Sequence, residues 1–411
     1  MNDRQSSARP LAGVRVVDLS TSYAGPTASM YLADLGATVV KVERPGGGDD
    51  ARGWGPPFVG GTSAWFASAN RNKSSVVIDL RAEGGLDVLH RLIATADVFV
   101  HNMNPSKLVR LGIDGGSLRA RQPRLIYCAL SGFGLDGPDA HLPGYDLVAQ
   151  ARSGLMSVTG EKGRSPQRVS TALSDIVTGM SAAIAINAAL VRQALHGEGE
   201  TIDVSLLDTD LALMAPRIAS FHAGESEPAP SGGTDSVLAV YQPFATADRT
   251  IVIAIGNDEM WQRFCRITGL MDLAVDPKLA DNAGRREHRS RIADRVGEVM
   301  ATKGAAEWLV SMESATIPAS LVRTLSEVVA DEQVVARGSL MSVPASGGDL
   351  VTVRSPFRLT SSPEPRNERF PDLGQDTEQV LRDVGYTDEE IRRLLVDGAA
   401  VAARASKVSV S

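Results

Sequence analysis

The stretch VRVVDLSTSYAGPTASMYLADLGATVVKVER, residues 14–44, decides the fold. VRVVDLS (14–20) is rich in β-branched residues and predicts a strand. AGPTASMYLADLG (24–36) carries Pro26 near its front and Gly36 at its end, the asymmetry of a helix that starts on proline and stops on glycine. ATVVKVER (37–44) predicts a second strand. Strand, helix and strand in so short a span make a βαβ unit. Its crossover is right-handed and its two strands lie parallel.

The same alternation continues outward. SVVIDL (75–80), DVFVHN (97–102) and RLIYCALSGF (124–133) predict further strands, with helical patterns at EGGLDVLHRLIATA and PSKLVRLG between them. Residues 1–150 therefore predict a doubly wound α/β sheet. A buried helix is expected over 175–195 and a strand within TIDVSLLD (201–208). GESEPAPSGGTDS (224–236) is rich in Gly, Pro and Ser and marks a boundary. Beyond it, 240–269 reads as a strand pair, a glycine turn and a helix. Helices are expected over 276–315 and 322–338, then short strands among prolines over 339–373. Thr387 and Glu390 form a capping box before IRRLLVDG, and the tail AAVAARASKVSVS is expected to fray.

Composition narrows the class. The 411 residues are 43% hydrophobic and 22% charged, as in soluble globular proteins. A net charge of −7 without a basic run or stripe argues against nucleic acid as a partner. Cys128 and Cys265 stand far apart among apolar neighbours, so a reducing, cytoplasmic setting is expected rather than a disulfide framework. MNDRQSSARP lacks an apolar segment, so no signal peptide is expected. The longest apolar run is interrupted at Asn187 and Arg192, and no membrane span is expected. None of the six histidines stands in a metal-binding spacing, and no metal site is expected.

Several loops carry residues suited to chemistry. ERPGGGDDARG (43–53) follows a strand with three glycines, whose amides can cradle phosphate beside Arg44, although a flexible surface loop fits as well. It is neither a GxGxxG fingerprint nor a P-loop. NRNK (70–73) gathers amides and cations suited to an anion, or forms a plain polar turn. HNMNPSKLVRLG (101–112) leaves the carboxyl end of a strand, where doubly wound sheets bind ligands. SGFGLDGPDAHLPGYD (131–146) reads as a ligand-covering loop ending at Tyr145 and Asp146. In TALSDIVTGM (171–180), Asp175 heads a long apolar run. A cap or dipole partner there contributes about 0.5–2 kcal/mol. The same placement would keep the carboxylate ionised and usable as a nucleophile. In AIGNDEMW (254–261), Gly256 and Asn257 form a turn that caps a helix or serves as an oxyanion site or lid.

Together and in this order these motifs resemble the family III CoA-transferases, over nearly the whole chain. The resemblance rests on LAGVRVVDLS, YAGPTASMYLADLGATVVKVERPGGGD, NRNKSSVVIDL, ADVFVHNMNP, LIYCALSGFGLDGP, PGYDLVAQA, SDIVTGM, GEGETIDVSLLD and PFATADRTIVIAIGND. It implies a nucleophile at Asp175, and acyl-CoA and a carboxylic acid as substrates with no tightly bound cofactor. It implies a CoA site around Ala24, Arg44, Asn72, Lys73, Asn102, Met103, Arg110, Phe133 and Gly134. Tyr23 and Tyr145 would meet the substrate, and Gly256–Asn257 would form a lid. The implied architecture is a Rossmann-like large domain (1–223), a linker and smaller α+β domain (224–330), and a return segment (331–411) completing the large one, in an interlocked homodimer.

Departures refine the expectation. Tyr23 stands where formyl-CoA transferases carry Gln, and HNMNPS (101–106) replaces the family's ENFRPG. The rival within the superfamily, α-methylacyl-CoA racemase, uses a His in GHD, where this chain reads GYD with Tyr145. Tyrosine, with a reference pKa of about 10, is a poor base near neutrality. A non-catalytic CoA-binding protein is the alternative of a different class. Arg152, Arg164 and Arg168 could select a dicarboxylate such as succinate.

Overall fold

The structure, a computed structural model, describes residues 9–345, 348–363 and 369–403. Its described residues fall into two compact units. One is drawn from Met1–Leu155, Arg168–Gly224 and Ala336–Ser411, the other from Met156–Gln167 and Glu225–Val335. Residues 156–167, which the sequence pattern left in the large domain, belong to the second unit.

The first unit is built on β1 (Arg15–Asp18), α1 (Ala24–Asp34), β2 (Thr38–Glu43), α2 (Ala64–Asn70), β3 (Lys73–Ile78), α3 (Gly85–Ala94), β4 (Val98–His101), α4 (Pro105–Leu111), β5 (Ile126–Ser131), α5 (Asp146–Arg152), α6 (Leu173–His196), β6 (Thr201–Ser205), α7 (Leu206–Leu213) and α8 (Ala215–His222). From the return segment come α9 (Thr377–Asp383), α10 (Asp388–Val396) and β7 (Ala400–Val401). The sheet runs β7-β3-β2-β1-β4-β5-β6. Strands β1 to β6 are mutually parallel, and only the edge strand β7 is antiparallel, against β3. This is the doubly wound order, and the chain reverses direction between β1 and β4.

Both faces of the sheet are apolar because successive strand residues point to opposite sides. Val17, Val40, Val76, Phe99 and Tyr127 pack with Val88, Leu89 and Leu92 of α3 on one face. Val16, Val39, Val98, Val100, Ile126 and Cys128 pack with Leu32 of α1 and Ile186 of α6 on the other. Parallel strands covered on both faces read as the continuous apolar runs found in the sequence. The α1–α6 crossing is close because Gly179 has no side chain. A Cβ there would lie 2.7 Å from both the Ala24 carbonyl oxygen and Thr27 Cβ.

Two expectations change. The helix around Asp175 is longer than its interrupted apolar run: α6 has 24 residues and is apolar and long enough to cross a bilayer. It serves instead as the β5-to-β6 crossover, with Ala182, Ala183 and Ile186 buried against the sheet and α1. The tail expected to fray begins as β7, and Thr377 Oγ1 donates to the Val401 carbonyl at 2.8 Å. Within the expected strand region 339–373, Leu340–Ala345 pairs antiparallel with Gly348–Val353. Residues 346–347 and 364–368, the expected leaderless start at 1–8, and the tail from 404 on lie outside the described residues. The capping box at Thr387 and Glu390 forms as read.

The second unit carries a three-stranded antiparallel sheet of Ala319–Leu321, Thr250–Ala254 and Tyr241–Ala245. Ile251 and Ile253 on its inner face pack with Trp261, Phe264, Trp308 and Met300 from the covering helices.

Candidate active site

The carboxyl ends of the parallel strands set the site. The loop from β1 to α1 is clamped at nearly every backbone group. The Asp18 carboxylate accepts from Ser20 N at 2.9 Å, and Lys41 Nζ donates to Ser20 O at 2.9 Å. Asn102, just past β4, accepts from Thr21 N at 3.0 Å and donates to Thr21 O at 2.8 Å. Asp49 accepts from Ser22 N at 2.9 Å and pairs with Lys41 at 2.8 Å. Ser22 sits at φ 72, a left-handed conformation that this clamp sustains. The loop closes the reversal point between β1 and β4, where open α/β sheets take ligands.

The clamp aims Tyr23. Its hydroxyl shares a 2.7 Å hydrogen bond with Ser68 Oγ, and its ring meets Trp65 edge-on with centroids 5.5 Å apart. Burial raises the Tyr23 phenol above its ordinary pKa, and the nearby Asp175 charge adds to that effect. Asp175 lies in the first turn of α6, one turn ahead of the Gly179 crossing over Ala24.

Asp175 does not cap its helix. Residue Ala172 occupies the cap position without a side-chain bond, and Asp146 of α5 supplies the missing acceptor, taking Ser174 N at 2.9 Å. Asp146 also accepts from Gln150 Nε2 at 2.8 Å and lies 3.7 Å from Arg168. Ser174 Oγ donates to Asp210 of α7 at 2.8 Å. Asp146 and Asp210 thus both bond to Ser174, the residue before Asp175. Burial, then the charges of Asp146 and Asp210, push its carboxyl up to about 7. This corrects the expectation that the helix end would hold the anion: desolvation and like charge outweigh the dipole. The group is poised near neutrality, as a nucleophile or a general base requires.

The other expected ligand residues divide. Ala24, Arg44, Asn102, Met103, Phe133 and Gly134 all follow the carboxyl ends of their strands. Arg44 is exposed and pairs with Asp50. Met103 packs partly into the core, Phe133 lies 5.1 Å from the Arg152 guanidinium, and Gly134 N donates to Ser131 Oγ at 2.8 Å. Arg110 is exposed in the last turn of α4. Asn72 and Lys73 lie at the opposite, amino end of β3. Lys73 is buried and its ammonium is engaged by Asp18 (3.1 Å), Pro26 O and Asn70. Arg71 and Asn72 both donate to Asp34. NRNK is therefore an internal clasp, and the expectation that the Lys73 ammonium meets CoA is corrected: its charge is spent holding β1 and α1.

Tyr145, 60% exposed, heads α5 without a side-chain cap bond. In the second unit Asn257 caps the helix Asp258–Thr268, accepting from Met260 N at 2.8 Å, and nothing fills the space over Gly256 within 4 Å. Sequence reasoning assigned no chemical role to Asp146, Ser174 or Asp210. Asp146 and Ser174 lie in the first turns of their helices and Asp210 inside α7, and only the fold brings them together beside Asp175. No group of three or more metal-binding side chains forms among the described residues.

Comparison with known proteins agrees with this geometry. A family model described as CoA-transferase family III matches residues 11–377. The chain is 36% identical over 391 residues to a succinate–glutarate CoA-transferase of Agrobacterium fabrum, covering 93% of this chain and 98% of that protein. It is 35% identical to the human succinyl-CoA:glutarate CoA-transferase, with 96% and 90% covered. Among solved structures, a CaiB/BaiF family protein from Brucella suis superposes with a TM-score of 0.80 at 35% identity, over 92% of this chain and all of that one.

Proposed function

The chain belongs to CoA-transferase family III, and on that premise we propose that it moves CoA from succinyl-CoA to a second dicarboxylic acid through Asp175. The family makes acyl-CoA thioesters and carboxylic acids its substrates. The finer reading is carried by one observation. Asp175 is a carboxyl with raised basicity at the carboxyl edge of the sheet, beside the clamped Tyr23.

The Asp175 carboxylate attacks the thioester carbonyl of the donor and expels CoA thiolate, leaving an acyl-aspartyl anhydride. The thiolate attacks the aspartyl carbonyl of that anhydride, releasing the donor acid and forming an aspartyl-CoA thioester. The acceptor carboxylate repeats the sequence in reverse and leaves as the new acyl-CoA, with Asp175 restored. Raised basicity makes Asp175 the stronger nucleophile. Both intermediates hydrolyse, so the site must hold water away. Arg44 and Arg110, two exposed cations past the carboxyl ends of β2 and β4, suit the CoA phosphates. Arg168, beside the carboxyl cluster, suits the remote carboxylate of a dicarboxylate.

The relatives named for succinate and glutarate support the choice of acids. We also read the active form as an interlocked homodimer, and two free, buried cysteines accord with a cytoplasmic setting. Incubation with succinyl-CoA, followed by hydroxylamine trapping and peptide mass analysis, should mark Asp175 alone. Full transfer from succinyl-CoA to glutarate by Asp175→Asn would overturn the reading.

A further inference from the structure

Asp210 has no evident use in its own helix. Ser205 and Asp208 cap α7 between themselves, with Asp208 N donating to Ser205 Oγ at 2.9 Å and Ser205 Oγ to Asp208 at 2.6 Å. Asp210 is nevertheless fully buried. One of its oxygens accepts from Ser174 Oγ at 2.8 Å and, at 3.5 Å, from Ser153 Oγ. Its other oxygen is buried with no partner among the described residues. A neutral side chain would satisfy Ser174 equally well, and a buried acid without a cation is costly. The position therefore carries an acid at a cost to the fold.

The groups facing the first turn of α6 come from every element around it. Asp146 comes from α5, Asp210 from α7, Tyr23 from the loop ahead of α1, and Arg168 from the segment leading into α6. Arg168 lies 3.7 Å from Asp146, and its other bonds go to the Val169 and Thr171 carbonyls. Asp210 is held to Ser174, the residue before Asp175, and no cation bonds to it among the described residues.

We propose that Asp210 is a positioning residue for Asp175: anchored to the first turn of α6 through the Ser174 hydroxyl, it presents a second buried carboxyl to the nucleophile and sets the pH at which Asp175 becomes an anion. The inference rests on the reading of Asp175 as nucleophile. Burial raises the Asp210 carboxyl, the Ser174 hydroxyl opposes that rise, and the Asp146 charge adds to it. As an anion, Asp210 opposes a further negative charge at Asp175 and so delays its ionisation. The result is a carboxylate that is more basic, and so more nucleophilic, than an isolated aspartate.

Infrared difference titration tests this without relying on turnover. The parent spectrum minus that of Asp175→Asn isolates the Asp175 carboxyl band, and its midpoint is read against pH. In an Asp210→Asn background the midpoint should fall by roughly half to one pH unit. The rising limb of kcat/KM for succinyl-CoA should move by the same amount. Ser174→Ala, a nearly isosteric change, removes the donor that favours the Asp210 anion. It should move the midpoint the same way by less, and it serves if Asp210→Asn does not fold. A midpoint that stays in place or rises in the folded variant overturns the proposal. If the midpoint falls but Asp175→Asn still transfers CoA, the coupling stands and the nucleophile reading falls.

Discussion

At the scale of single residues, the raised carboxyl of Asp175 has two consequences of opposite sign. With Asp175 as the proposed nucleophile, its anion is the reactive form, so kcat/KM for the acyl-CoA should rise with pH through about 7. For stability the reverse holds. A carboxyl lifted from 3.8 to about 7 binds its proton more tightly in the folded state than in the unfolded chain. That contribution is complete below about pH 4 and is lost as pH rises through about 7. Asp175→Asn, which does not titrate, should therefore unfold at a higher temperature than the parent at pH 8, with the gap closing toward pH 4. Scanning calorimetry across that range reads it, and an equal gap at both ends would refute the raised pKa. Lys73 makes the contrasting case. Lys73→Met strips Asp18 of the buried ammonium that bonds it and should cost about 3–5 kcal/mol of stability in chemical denaturation. Its KM for succinyl-CoA should stay near the parent value, because the ammonium is inside the fold.

At the scale of elements, the α1–α6 crossing ties the scaffold to the site. Gly179→Ala places a methyl against the Ala24 backbone and Thr27, neither of which can give way as the end of a flexible side chain would. Overpacking of this kind costs about 1–3 kcal/mol. Relief by sliding α6 would carry Asp175 away from Tyr23, so kcat should fall more than stability alone explains, as paired melting and turnover measurements would register. The sequence makes these elements legible but not their convergence. The βαβ unit, the parallel strands and the Thr387 capping box all follow from local periodicity and end signals, which act within a few residues. Asp175 at the head of its helix is legible for the same reason. The carboxyls that govern its charge come from α5 and α7 and meet it only through the β5-to-β6 crossover. No local pattern distinguishes Asp210 in LLDTDLAL from a solvated helical acid. The converse holds for NRNK: a polar cluster beside a strand reads alike whether it faces a ligand or, as here, folds back on Asp18 and Asp34.

At the scale of the whole molecule, α6 buries one face and leaves another apolar and open. Ile184 is 71% exposed, Val191 59% and Leu195 72%, and with Ala188 they recur at the spacing of one helical stripe. Phe221 and Ile218 of α8 are also exposed. Single exposed apolar residues are ordinary, but a continuous stripe on the helix that carries Asp175 calls for a cover. A second copy of the chain is the cover that the interlocked-dimer reading supplies. Ile184→Asp would then put a charge into a subunit interface, and the protein should run as a monomer in light scattering where the parent runs as a dimer. If the stripe is instead simple surface, the substitution should leave mass and melting temperature unchanged. Activity separates the two further. Because Asp175 lies in the first turn of α6, loss of the partner should lower turnover at dilute protein, and raising the concentration of the parent should restore it while leaving Ile184→Asp behind.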